Sequence, residues 1–426
     1  MNPLRFLHPY RARVIACILL LLTLLLAPYV VGTSRPYLPP EPLPAAPFVD
    51  LHCHTAGLGA GGSGCFVSDQ LRHSFKLGFY LKSFGVTEDE IMAQGDGLVL
   101  QRLSARLAGS AHVSRAVVLA LDGVVDATGE LDRSQTEIYV PNEFLAAEIP
   151  KYPNLLWGAS INPYRRDALE RLDWARAHGA VLVKWLPSVQ QIDPADERLI
   201  PFYRKMAALG LPLLTHTGNE RSFTRARDEL CDPARLRLPL EQGVTIIAAH
   251  AATTGRIDHE RCFDRLARMM NAYPNLYADV SSLTQLNKHG YLEELLHKPE
   301  FNHRLLYGTD YPLIEIHALV SPWYFPRQLS WRQRSALGRV RNPWDRDVAL
   351  KQALGVPADV WTRGETLLNS AHAAAKTSLA PCQEPYNRVD LGPSLRTPFP
   401  PLPCPTNLPP VATPIPPSIN AAVAAG

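Results

Sequence analysis

Two histidines separated by one residue, His52 and His54 in the run FVDLHCH at 48–54, are the first residues of this sequence that could do chemistry together. If the run is a strand, residues two apart share a face. Asp50, His52 and His54 then point one way, and Val49, Leu51 and Cys53 point towards covering helices. Four more polar residues stand near the ends of short apolar runs: Lys184 in AVLVKWLP, His216 in LPLLTHTG, His250 in VTIIAAHA and Asp310 in RLLYGTDYP. Each alone has an ordinary explanation, since buried histidines find hydrogen-bond partners and Asp310 could cap the following turn. Brought together without partners, such groups would be costly to desolvate, and a divalent cation removes that cost. Imidazole and carboxylate donors with an open position suit zinc first, then manganese or iron.

The elements that must position these residues are legible as an alternation. Eight short runs rich in β-branched and aromatic residues start near 48, 113, 155, 180, 211, 244, 275 and 304. Gly, Pro or Asn bounds each of them. Helical patterns such as 166–179 and 196–210 lie between, each ending in glycine. Strand–helix alternation implies a parallel sheet with right-handed crossovers, and eight units predict a closed (β/α)₈ TIM barrel over 48–378. Its reactive face is the C-terminal end of the strands, where all six residues fall. No nucleotide-binding glycine loop follows the first strand.

Residues 55–112 form a long excursion after the first strand, expected to make a cap or lid. Its opening, GLGAGGSG, lacks the spacing of a phosphate loop and reads as a hinge. Residues 313–378 look helical and include Trp323, Trp331 and Trp344. About half of the 39 prolines fall in a linker at 33–47 and a tail at 379–426 that cannot bury a core. Residues 1–13 carry Arg5, Arg11 and Arg13 ahead of an apolar stretch at 14–32. That order predicts a single-pass transmembrane anchor with the barrel on the non-cytoplasmic side, a cleaved signal peptide being the alternative. A net charge of +3 from 43 basic and 40 acidic residues, with no basic stripe, excludes nucleic acid as a partner. Seven cysteines show no zinc-type spacing, although Cys382 and Cys404 in the tail could pair outside the cytoplasm.

HCH on the first strand, His216 on the fifth, His250 on the sixth and GTDYP on the eighth resemble the amidohydrolase superfamily. Within it, the chain is most similar to the amidohydrolase 2 branch, which also holds decarboxylases of the aminocarboxymuconate-semialdehyde type. The resemblance spans about 48–375. It implies that His52, His54, His216 and Asp310 hold one metal, and that His250 and Asp310 move protons. His250 would bind a second ion in a binuclear site. Lys184 would bridge two ions as a carboxylated lysine or pair with an acidic substrate. The implied reaction is hydrolysis of an amide, lactone or ester in a small acidic or cyclic molecule. A decarboxylase or hydratase is the alternative, with Arg165, Arg166 or Arg221 at the substrate, and a non-catalytic envelope protein is the third reading. Barrels of this kind are often homodimers.

Overall fold

The computed structural model describes residues 7–31, 34–220, 223 and 225–378. The proline-rich tail from 379, with Cys382 and Cys404, and Arg221 lie outside the described residues. All eight predicted strands are present: β1 Phe48–His54, β2 Val113–Leu119, β3 Leu155–Gly158, β4 Val183–Trp185, β5 Leu213–His216, β6 Ile246–Ala249, β7 Leu276–Asp279 and β8 Leu305–Leu306. They form two parallel arcs, β1–β2–β3 and β4 through β8 in sequence order. Single bridges, Ala159 with Val183 and Cys53 with Tyr311, close the arcs into one ring. At the second seam Leu51 N–H donates to Tyr307 O (3.3 Å) and His54 N–H to Tyr311 O (2.8 Å).

Helices Ala168–Ala177, Ile200–Leu209 and Cys262–Ala272 form part of the outer layer. Ile200–Leu209 starts with Pro201 in its first turn and stops at Gly210, whose φ of +59° lets Leu211 N–H reach back to Met206 O (3.0 Å). The lower lumen is aliphatic. Val49, Leu51, Val117, Leu119, Leu182, Leu214, Ile247, Ala249 and Leu306 form one cluster, with Leu156 and Tyr277 against it and Leu367 from the last helix joining in. Every strand contributes, through Leu182 just before β4 in that one case, which only the barrel interior permits.

This arrangement alters one expectation about β1. Val49 and Leu51 face the lumen, and the pairing of β1 with β2 shifts between Asp50 and Cys53. An irregularity of this kind turns successive side chains to new faces. Asp50 therefore does not join the histidines: its carboxylate accepts from Thr309 Oγ1 (2.5 Å), Trp344 Nε1 (2.8 Å) and His52 N–H (3.0 Å).

The excursion after β1 holds four helices, Asp69–Arg72, Phe75–Phe84, Glu88–Gln94 and Gly97–Ala108. Its glycine-rich opening is fastened rather than hinge-like. The Asp96 carboxylate accepts from Leu58 N–H (2.8 Å), Gly59 N–H (2.9 Å) and the Ser63 hydroxyl, filling the place an anion would take in a phosphate loop. The proline-rich linker is likewise held against the barrel. Tyr37 is buried, its N–H donates to Leu354 O (3.0 Å), and Ala358 N–H donates to Glu41 Oε2 (2.7 Å). Gly355 (φ +100°) allows this approach, because a Cβ there would collide with the Leu38 backbone.

The anchor expected over 14–32, and with it the non-cytoplasmic location, needs correcting. Among the described residues no helix is long and apolar enough to cross a membrane. The apolar stretch lies within the first helix, Leu7–Val31.

Candidate metal centre

The β1 irregularity leaves His52 wholly buried at the mouth of the lumen, with His54 beside it and partly open. Asp279, the last residue of β7, fixes the His52 ring: Nδ1 lies 2.8 Å from its Oδ2. A proton on Nδ1 is therefore shared with a carboxylate, and the Nε2 lone pair is free to point the other way. There it meets His54 Nε2 at 3.2 Å, Lys184 Nζ at 2.9 Å and Asp310 Oδ1 at 3.6 Å. His54 Nε2 is 3.1 Å from the same Asp310 oxygen. One ligand atom from each of His52, His54 and Asp310 lies within 4.8 Å of the others, and His52, His250 and Asp279 form a second such group.

Two of these residues adopt backbone conformations that L-residues avoid. Asp310 has φ +63°, and His250, Ala251 and Ala252 have φ of +56°, +49° and +51° in succession. Such residues cost roughly 1–3 kcal/mol each and cluster at functional sites. Here the turn drops His250 back over the lumen, its ring 5.1 Å from His52 and 5.3 Å from His216. His250 Nδ1 is held by Ser281 Oγ (2.7 Å), and its Nε2 lies 3.8 Å from Asp310 Oδ2. Ser282 donates to that same oxygen at 2.5 Å.

Burial sets the protonation states. It lowers the His52 pKa to about 4, helped by the Lys184 charge, and pushes His216 down and His250 far down. All three imidazoles are then neutral at pH 7, as metal ligands must be. Burial alone would raise Asp310, but the surrounding imidazoles outweigh it and keep the carboxyl well below its usual range. Burial lowers Lys184 and Lys288 to about 8, partly offset by Asp310 and Asp279.

The donor set fits a divalent cation. The clearest sign is His216, whose buried Nε2 has no hydrogen-bond partner, while its Nδ1 lies 3.5 Å from Glu220 Oε2. A lone pair stranded in the interior is expensive unless something accepts it.

His52, His54 and Asp310 thus meet directly, His250 and Lys184 adjoin them, and His216 stands at the edge. Arg165, expected at the substrate, is elsewhere: it is buried with Nε and Nη2 on Asp122 at 2.6 and 2.5 Å and does not line the cavity that His54, His216, His250 and Asp310 share. Arg166 is exposed and paired with Glu130. Sequence reasoning passed over Asp279 and Lys288. Asp279 closes its strand and Lys184 nearly closes its own, so the same criterion would have found it.

Residues 105–330, more than half of the chain, match the amidohydrolase family model, Amidohydro_2, and the chain belongs to that family. Among solved structures, an uncharacterised TIM-barrel protein from Bordetella bronchiseptica is similar at 16% identity and TM-score 0.46, covering 76% of this chain and 99% of that one. A probable 2-pyrone-4,6-dicarboxylic acid hydrolase from Acinetobacter baumannii, with citric acid bound, matches at 14% identity and TM-score 0.41 over 76% and 97%. A 5-carboxyvanillate decarboxylase from Novosphingobium aromaticivorans, with manganese bound, matches at 11% identity and TM-score 0.40 over the same shares. A comparison with curated proteins finds no match.

Proposed function

We propose that the chain is a metal-dependent hydrolase acting on a C–N or C–O bond, such as an amide, lactone or ester, in a small acidic or cyclic molecule. The catalytic domain would be 48–378 with 55–112 as its cap. The observation that carries this is the convergence of two imidazoles and one carboxylate at the C-terminal mouth of the barrel, with burial keeping His52 neutral. His52, His54, His216 and Asp310 would hold the ion, zinc or else manganese or iron. Lys184, if carboxylated, and His250 would hold a second ion. A divalent cation held there supplies Lewis acidity and brings the acidity of water near neutral pH.

The chain's own groups supply the proton handling. His250, neutral and with Nδ1 tied to Ser281, has Nε2 available to take a proton and return it to a leaving group. Asp310 Oδ2, 3.8 Å away, is the second acceptor, and Ser282 keeps that carboxylate in place. Leu77, Leu81 and Phe84 of the cap form part of an apolar wall that excludes water and receives the body of the substrate. Of the arginines on which the lyase reading leaned, Arg165 is committed to Asp122 and Arg166 is paired with Glu130, and Arg221 lies outside the described residues.

The test is metal analysis of the purified full chain alongside assays for lactone, ester and amide cleavage and for carbon dioxide release. His216→Ala should lose metal and turnover together. His250→Ala should keep at least one ion while turnover falls by roughly 10²–10⁴. Full metal and full rate in His216→Ala, or carbon dioxide release without hydrolysis, would refute the proposal.

A further inference from the structure

We infer that Lys288 is a specificity-determining residue, binding a carboxylate on the substrate other than the group that reacts. This rests on the site being catalytic and names what the site selects. Lys288 is only 8% exposed and lines the same cavity, of about 210 Å³, as Lys184, His216, His250 and Asp310. Among the described residues its ammonium has no ion pair and no hydrogen bond. A second buried lysine shows what the fold does when a lysine serves structure: Lys351 Nζ lies 2.7 Å from Asp347 Oδ2 and 3.1 Å from Gly308 O. A desolvated ammonium without a partner costs stability, so Lys288 is explained by a ligand rather than by folding.

The position is built, not incidental. Lys288 ends the short helical turn Leu286–Lys288 in the loop after β7. Leu286 N–H donates to Leu319 O (2.9 Å), Gln285 bridges to Val320, and Lys288 N–H returns to Gln285 O (3.0 Å). Gln285 Nε2 also donates to Ser282 Oγ (2.8 Å), the hydroxyl that holds Asp310. One loop thus sets both the Asp310 carboxylate and the Lys288 ammonium, so little ordering remains to be done when a ligand arrives.

Charge counting agrees. Asp279, Asp310 and Glu220 oppose Lys184 and Lys288 around the site, leaving one negative charge. One divalent ion turns that into one positive charge. Two ions with a carboxylated Lys184 give the same total. In either case a single carboxylate restores neutrality. The opposing cap wall of Leu77, Leu81 and Phe84 suits a flat apolar body carrying that carboxylate.

The probes are benzene-1,3-dicarboxylate and its monoamide, 3-carbamoylbenzoate, titrated calorimetrically into metal-loaded full chain. Wild type should prefer the dicarboxylate by about tenfold or more, as loss of one desolvated charge contact implies. Lys288→Met should bind the two probes equally, and Lys288→Arg should keep the preference. Equal affinity or no binding in wild type, or a preference that survives Lys288→Met, overturns the inference. Metal content of the same samples is a separate readout: a metal-free wild type undoes the hydrolase reading, while the probe preference alone judges Lys288.

Discussion

The floor and the mouth of the barrel are built from the same eight strands, often two residues apart, and they solve opposite problems. Leu182 and Leu214 fill the floor with hydrocarbon, whereas Lys184 and His216, the next inward-facing residues along β4 and β5, bring charge and lone pairs into the mouth. The floor gains from every atom it removes from water. The mouth buries Lys184, Lys288, Asp279 and Asp310 and keeps two backbone turns in unfavourable conformations. Stability and chemistry are thus layered along one axis, and substitutions at the two levels should separate them.

Leu214→Ala should give the largest effect. It opens a cavity in the floor and should lower unfolding free energy by about 2–5 kcal/mol, with kcat of the metal-loaded enzyme unchanged; chemical denaturation and steady-state assays check this. A fall in kcat comparable to the stability loss would break the division.

Lys288→Met should act in the reverse sense on the metal-free protein. In the fold Lys288 holds its proton only to about pH 8, because burial outweighs the attraction of Asp310, Asp279 and Glu220. The unfolded chain keeps it to about 10.5. Between those values the unfolded state binds more protons, so wild-type stability rises with pH through that window. Below pH 8 the variant should be the more stable by on the order of 3 kcal/mol, and the gap should close towards pH 10.5. Denaturation curves at pH 7 and pH 10 measure it, and a variant less stable than wild type at pH 7 would contradict it.

Asp279→Asn should have the smallest effect, a loss of about 10–100-fold in metal affinity or turnover, because the ring of His52 stays but loses its anionic support. Competition with a chelator reads this directly.

Much of this division is written in the residue order. The eight apolar runs, their bounding glycines and prolines, and the polar residues near their ends were enough to predict the barrel and to nominate His52, His54, Lys184, His216, His250 and Asp310. What the pattern misplaced depended on tertiary contacts. Strict alternation puts Asp50 beside His52, and only the shifted pairing of β1 sends it to Thr309 and Trp344. Arg165 looks available until Asp122, far away in the chain, is brought against it. Lys288 sits in an aperiodic turn whose place is set by Leu319 and Val320 after the next strand, so no local signal marks it. The glycine loop at 57–64 reads as loose because its tether, Asp96, is more than thirty residues on.

The ring of strands is also two arcs, each joined to the other by single bridges. His52 and His54 belong to the shorter arc, and His216 and Asp310 to the longer. Any ion gripped by both sets rivets the barrel shut across its β1–β8 joint. Chelation would then release a mechanical clasp as well as a reactant, and amide hydrogens along that joint should exchange with solvent sooner than those in the middle of either arc.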